Sequence, residues 1–114
     1  MKELFQISKE QDIYIIQVRD LLSETANRKM MVAVDDKMTD DFANIIVNLT
    51  DIDYINSVGI NFLIQLRHRA RKSGGRVVIV HASGKVKELL DITKLRPMFA
   101  LTDSLEEAKG LLSA

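Results

Sequence analysis

The sequence predicts an α/β fold in which a mixed β-sheet carries helices packed mainly on one face, in the order β-β-α-β-α-β-α-β-α. Two observations carry that reading. The β-branched runs Ile45-Ile46-Val47 and Val77-Val78-Ile79-Val80 flank a long helical pattern from Ser57 to Ser73 that stops at Gly74-Gly75, which together make a βαβ unit. Ahead of them, two β-rich segments separated by polar residues make a hairpin. At 114 residues the chain is read as a single domain spanning 1–114.

The elements follow in order. Leu4, Phe5 and Ile7 suggest a first strand, Lys9, Glu10, Gln11 and Asp12 a polar turn, and Ile13-Tyr14-Ile15-Ile16-Gln17-Val18 a largely buried second strand. Ser23 offers an N-cap, after which Ala26, Met30, Val34 and Met38 recur every four residues as one apolar stripe. The run Met30 to Val34 could also be a strand, but no turn residues flank it and the wider spacing is helical. Asp40 and Asp41 are expected to close this helix, with the Ile45 to Leu49 strand next.

A short loop carrying Asp51 and Asp53 then leads to a helix opening at Asn56-Ser57. Steps of about 100° per residue put Gly59, Phe62, Leu63, Leu66 and Ala70 in one sector facing the sheet, with Ile60 and Ile64 on a flank shared with Arg67 and Arg71. Arg76 to His81 is the next buried strand, and Val86, Leu89 and Leu90 belong to a short helix after Ala82-Ser83-Gly84. Pro97 breaks the chain, so Met98 to Leu101 should form a brief edge strand. Asp103 and Glu106 have the spacing of a capping box, and Leu105, Ala108, Leu111 and Leu112 form the apolar face of a last helix.

Composition narrows function mostly by exclusion. Sixteen basic residues balance sixteen acidic ones, so the net charge does not point to nucleic acid or an anionic membrane as a direct partner. Without cysteine there is no thiolate nucleophile, no disulfide and no Cys-based zinc site, and no apolar run is long enough for membrane insertion. The start, Met1-Lys2-Glu3-Leu4, lacks the apolar core of a signal peptide, and the chain reads as cytoplasmic.

Catalytic readings find little support: His68 lies on the polar side of its helix, His81 stands at a strand end without clustered carboxylates, and no phosphate-cradling glycine motif occurs. Asp51 and Asp53 are two residues apart without a third acid at metal-ligand spacing. A small enzyme using Asp51, Asp53 or His81 is therefore the weakest reading, and no cofactor or metal is implied. The run Arg67, His68, Arg69, Arg71, Lys72 is basic enough to touch an acidic partner, though a solvated helical turn is the preferred account of it.

The pivotal feature is Ser57. A serine at a helix N-terminus is where an added phosphate is best tolerated, because unpaired N–H groups and the positive end of the helix dipole favour negative charge.

The stretch Asn48 to Ile60 resembles the central motif of STAS domains, the fold of bacterial anti-sigma factor antagonists, whose pattern is commonly Asp-Leu-Ser, a few residues, an apolar pair and then Asp-Ser-Ser/Thr/Ala-Gly-Leu. The resemblance continues through Gly75-Arg76-Val77-Val78-Ile79-Val80, through Val86 to Leu95 and into Asp103-Ser104-Leu105-Glu106-Glu107-Ala108, covering nearly the whole chain. It implies a STAS-like protein-binding switch: a kinase that is also the anti-sigma factor phosphorylates the serine after the motif's Asp, and the unphosphorylated form binds it. Ser57 occupies that place. A serine phosphatase would be a further partner, and the chain would act as a monomer or weak dimer.

Phosphorylation would add about 1.5 to 2 negative charges beside an apolar contact surface, where desolvating them is costly. Partner binding is expected at Asn56, Ser57, Val58, Ile60, Asn61, Ile64 and Arg67. Ile60 and Ile64 could instead pack within the domain, and Ser57 could be only a helix-start residue. Three positions depart from the family pattern, since Asn56, Asn48 and Leu22 stand where Asp is common. The alternative reading is a non-phosphorylated STAS module acting by constitutive assembly, as a scaffold or as the small subunit of a lipid-transport ATPase.

Overall fold

The computed structural model describes residues 4–38 and 44–113. Strand β1 (Phe5–Glu10) pairs antiparallel with strand β2 (Ile13–Val18), Glu10 opposite Ile13. The turn is only Gln11-Asp12, with Gln11 at φ 53° as so tight a reversal requires. Lys9 and Glu10, expected in the turn, instead finish β1, where the Lys9 ammonium lies 5.2 Å from the centre of the Tyr14 ring.

Helix α1 (Glu24–Lys37) starts at the expected cap, Ser23 Oγ accepting from the Ala26 N–H at 3.2 Å. Met30 to Val34 is helical: Ala26, Met30 and Val34 are buried on one stripe and Met38 follows it just beyond the last turn. Asp40 and Asp41 lie outside the described residues.

Strand β3 (Asn44–Asn48), helix α2 (Ser57–Lys72) and strand β4 (Val77–Val80) form the βαβ unit, with β2, β3 and β4 parallel and adjacent. The buried residues of α2 are the five its periodicity picks out, Gly59, Phe62, Leu63, Leu66 and Ala70. Helix α2 ends as its glycines dictate: Gly74 takes φ 82°, its N–H donates to Arg71 O, and Gly75 N–H reaches back to Ala70 O.

Helix α3 (Gly84–Ile92) is capped by Ser83. Pro97 then sits in a short 3-10 turn, Arg96–Met98, so strand β5 begins later than expected, at Ala100, and runs to Thr102 parallel to β4. Met98 N–H is already used by Leu95 O, which keeps it in the turn. The last helix, α4 (Leu105–Ser113), is capped one residue later than the predicted box: Ser104 Oγ accepts from Glu107 N–H at 3.1 Å, while Asp103 faces Lys87 across 3.8 Å. Ala108 is buried and Leu111 is exposed, so the apolar face of α4 is narrower than its four leucine and alanine positions suggested.

The sheet order is β1-β2-β3-β4-β5, and strand alternation divides the core in two. Ile16, Val18, Ile45, Val47 and Ile79 join Phe62, Leu63, Leu66 and residues of α1 and α3 in the main core, while Ile13, Ile46, Val78 and Val80 meet Ala108 of α4 on the other face. Helices thus pack mainly on one face. Because β2, β3 and β4 run parallel, their C-terminal ends bring the 19–23, 49–56 and 81–83 loops to a single edge, the usual position of a site in such sheets.

Candidate functional site

At that edge the loop before α2 is held by what it buries. Ile52 and Ile55 enter the main core, and Ile52 N–H donates to Leu49 O at 3.0 Å, so Thr50, Asp51, Asp53, Tyr54 and Asn56 are turned outward. The neighbouring loop adds a tie, Ser83 Oγ donating to Asp53 O. Asp51 is engaged by Gln17 Nε2 at 3.0 Å and lies 3.6 Å from Arg19 Nε, which makes it a loop-to-sheet anchor. Among the described residues no group of three or more His, Cys, Asp or Glu side chains is placed to hold a metal ion.

Asn56 caps α2. Its Oδ1 accepts from Val58 N–H at 3.0 Å and Gly59 N–H at 3.3 Å, satisfying two of the donors that a helix start leaves open. Its amide nitrogen donates to Leu22 O at 3.4 Å, a bond that an ionised aspartate at this position could not make. One turn into the helix, a Cβ on Gly59 would stand 2.9 Å from both Leu21 O and Ile55 Cβ, closer than real contacts allow. The 19–23 loop is therefore seated directly on the first turn of α2, and Asp20 Oδ1 tightens it by accepting from Leu22 N–H at 2.8 Å. The contacts of Leu21 and Leu22 with the start of α2 join residues 34 or more positions apart in sequence, and only the glycine hinted at them.

Ser57 is the first residue of α2 and is exposed. Beside it a groove of about 1080 Å³ runs between α1 and α2, lined from α2 by Ser57, Val58, Asn61 and Ile64 and from α1 by residues including Asn27, Met31 and Val32. Val32 is exposed, an uncovered apolar side chain on the groove's outer wall. The Asn27 side chain is buried and its Oδ1 has no hydrogen-bond partner among the described residues. The contribution of α1 escaped sequence reasoning, which assigned it only a core stripe; the signal available was Asn27 standing next to Ala26 at the edge of that stripe.

The expected site residues do not all share this groove. Asn56 is the cap one residue before Ser57 and is not among the groove's lining, which takes Ser57, Val58, Asn61 and Ile64. Ile60 and Ile64 are both half-buried against the main core. Arg67 faces the other flank of α2, where its Nε donates to Met98 O at 2.9 Å. His68 is exposed on the groove side, and His81, exposed with φ 62°, donates its N–H to Thr102 O.

Comparison with solved structures places this architecture among known ones. The Thermotoga maritima protein TM1081, described as a candidate anti-sigma factor antagonist, superposes with a TM-score of 0.85 at 20% identity, over 96% of this chain and 95% of that one. An anti-sigma-factor antagonist (STAS) domain protein of Planctomyces limnophilus gives 0.83 at 14% identity, over 96% and 98%. The anti-sigma factor antagonist SpoIIAA in its unphosphorylated form gives 0.72 at 18% identity, over 96% of each chain. No helix among the described residues is long and apolar enough to cross a membrane. A model of the STAS domain family matches residues 5–108, and with the mixed sheet and the loop-to-helix edge it defines, the chain belongs to the STAS domain family.

Proposed function

We propose that this protein is a cytoplasmic anti-sigma factor antagonist, a non-enzymatic switch that binds an anti-sigma factor with serine-kinase activity while Ser57 is unphosphorylated and releases it once Ser57 carries phosphate. The observation that carries this reading is the position of Ser57: exposed, at the first residue of α2, with the groove between α1 and α2 opening beside it. A kinase can reach a hydroxyl so placed, and the helix start tolerates the product.

The groove supplies what a docked protein needs. Val58, Ile64, Met31 and Val32 offer apolar area, and exposed Asn61 offers an amide group. Asn56 takes part through the cap that fixes where Ser57 stands; Ile60 and Arg67, on the other flank, belong to the docking surface only if the partner wraps around α2. A phosphate at Ser57 would have to be desolvated against this apolar area, which disfavours the complex. A serine phosphatase would restore the binding form.

The test is affinity capture of the anti-sigma factor from cells co-expressing it with this chain. Wild type and Ser57→Ala should retain it and Ser57→Glu should lose it at least tenfold. Equal retention by Ser57→Glu would overturn the switch.

The second reading, a constitutively assembled STAS module, draws on Asn56. Its amide is engaged with Leu22 O, Asn48 Oδ1 is engaged with the Thr50 N–H, and Leu22 is an exposed apolar side chain, so none of these three positions offers a carboxylate near Ser57. In that case Ser57→Glu would leave assembly intact while Ile64→Asp would abolish it.

A further inference from the structure

The basic run in the second half of α2 does not act as one patch. Arg69 is consumed locally: its guanidinium donates to Met38 O at 2.6 Å, to Asp35 Oδ1 at 3.2 Å and to Ser73 Oγ. His68 and Lys72 line the α1/α2 groove. Arg67 and Arg71 point to the opposite flank, where the Gly74-Gly75 turn brings Arg76, the residue before β4, up beside them. Three arginines, two from α2 and one from the link into β4, thus surround one cleft of about 380 Å³.

This cleft has features that a solvated helical turn would not need. Its other walls are apolar, made by Val77, Pro97, Met98, Phe99 and Ala100, with Val77 and Phe99 buried. No acidic residue lines it. Arg67 is oriented by its bond to Met98 O, which occupies Nε and leaves the two terminal nitrogens for another acceptor. Arg71 and Arg76 are exposed, and no carboxylate among the described residues pairs with either. Nearby Arg96 shows the contrast, because it is paired with Asp91 at 2.9 Å.

We infer that this cleft is a second docking site, for a short acidic segment of a partner protein whose carboxylates meet the three guanidinium groups while an adjacent apolar side chain rests on the exposed Pro97 and Met98. Guanidinium forks match carboxylates in bidentate geometry. The apolar walls favour a peptide over a bare anion, and the balanced charge of the chain offers nothing along which a nucleic-acid backbone could track. Ser57 and Arg71 are fourteen residues apart on one helix, about 21 Å along its axis at about 1.5 Å per residue. The cleft is therefore separate from the Ser57 edge and stands whether or not Ser57 is phosphorylated.

The experiment is a two-dimensional amide NMR titration of the full chain with a synthetic peptide, Glu-Glu-Leu-Glu-Glu blocked at both ends. In parallel run the same peptide with glutamine for every glutamate, inorganic phosphate, and a short single-stranded oligonucleotide of equal charge. The site predicts shifts centred on residues 71, 76 and 98–100 with the acidic peptide, at least tenfold weaker with the glutamine peptide and with the R71E/R76E variant. Both arginines are exposed, and the wild-type comparison of the two peptides holds even if that variant folds poorly. Shifts elsewhere, equal binding of the glutamine peptide, or tighter binding of phosphate or oligonucleotide at the cleft would each overturn it.

Discussion

The two ends of α2 solve the same problem in opposite ways. At the N-terminal end a single amide does the capping, and the rest is shape: Gly59 lets the Leu21 carbonyl come within contact of the helix, and no charged group of the first turn is spent. At the C-terminal end the chain is fastened by a Schellman turn and by the three-way engagement of Arg69 with α1 and its C-terminal cap. A helix end fixed by close approach keeps its polar groups available to another molecule. One fixed by ion pairs and hydrogen bonds uses them up, and what it leaves available on the cleft side is Arg71 and Arg76 with the terminal nitrogens of Arg67.

Breaking the shape-based end should cost most. Gly59→Ala forces a methyl against Leu21 O and Ile55 Cβ, and unfolding in denaturant should show a loss of about 2 kcal/mol, in the range for overpacking a tight contact. A loss near zero would mean that the 19–23 loop is not seated on the helix. Next comes Asn56→Ala, which removes the cap and the bond to Leu22 O and should cost about 1 to 2 kcal/mol by the same measurement. At the other end Arg69→Ala should cost about 1 kcal/mol, since its partners are partly solvated, whereas Arg71→Ala should stay within about 0.5 kcal/mol. Equal effects of the two arginines would erase the distinction between a spent and an available charge.

That ranking also marks what the sequence could and could not convey. The buried stripe of α2 was legible because helical periodicity is a local property: five apolar or small residues at the right spacing have one way to face a sheet. The same holds for Ser23 as a cap and for the Gly74-Gly75 stop. The errors fell where neighbouring residues offered equivalent local choices. Asp103 and Ser104 are both good caps, and it is Ser104 that takes the Glu107 N–H while Asp103 faces Lys87; Met98 could extend a strand, but its N–H was taken by the turn at Pro97.

The candidate site was legible as a residue, Ser57, more than as a surface. The groove depends on α1 lying along α2, and the arginine cleft on β4 and the Pro97 turn meeting the flank of α2; both are tertiary juxtapositions with no local signature. Asn56 is the instructive case. As a cap it is interchangeable with aspartate, yet the structure gives its amide nitrogen a partner across the site that only tertiary folding supplies.

Whether Ser57 is the switch is read by phosphosite mapping by mass spectrometry after incubating the chain with its anti-sigma kinase and ATP. A switch at Ser57 gives the mass of one phosphate on the peptide containing Ser57 and none on the Ser57→Ala variant. An unmodified wild-type chain, or a Ser57→Ala chain modified to the same extent, would contradict it.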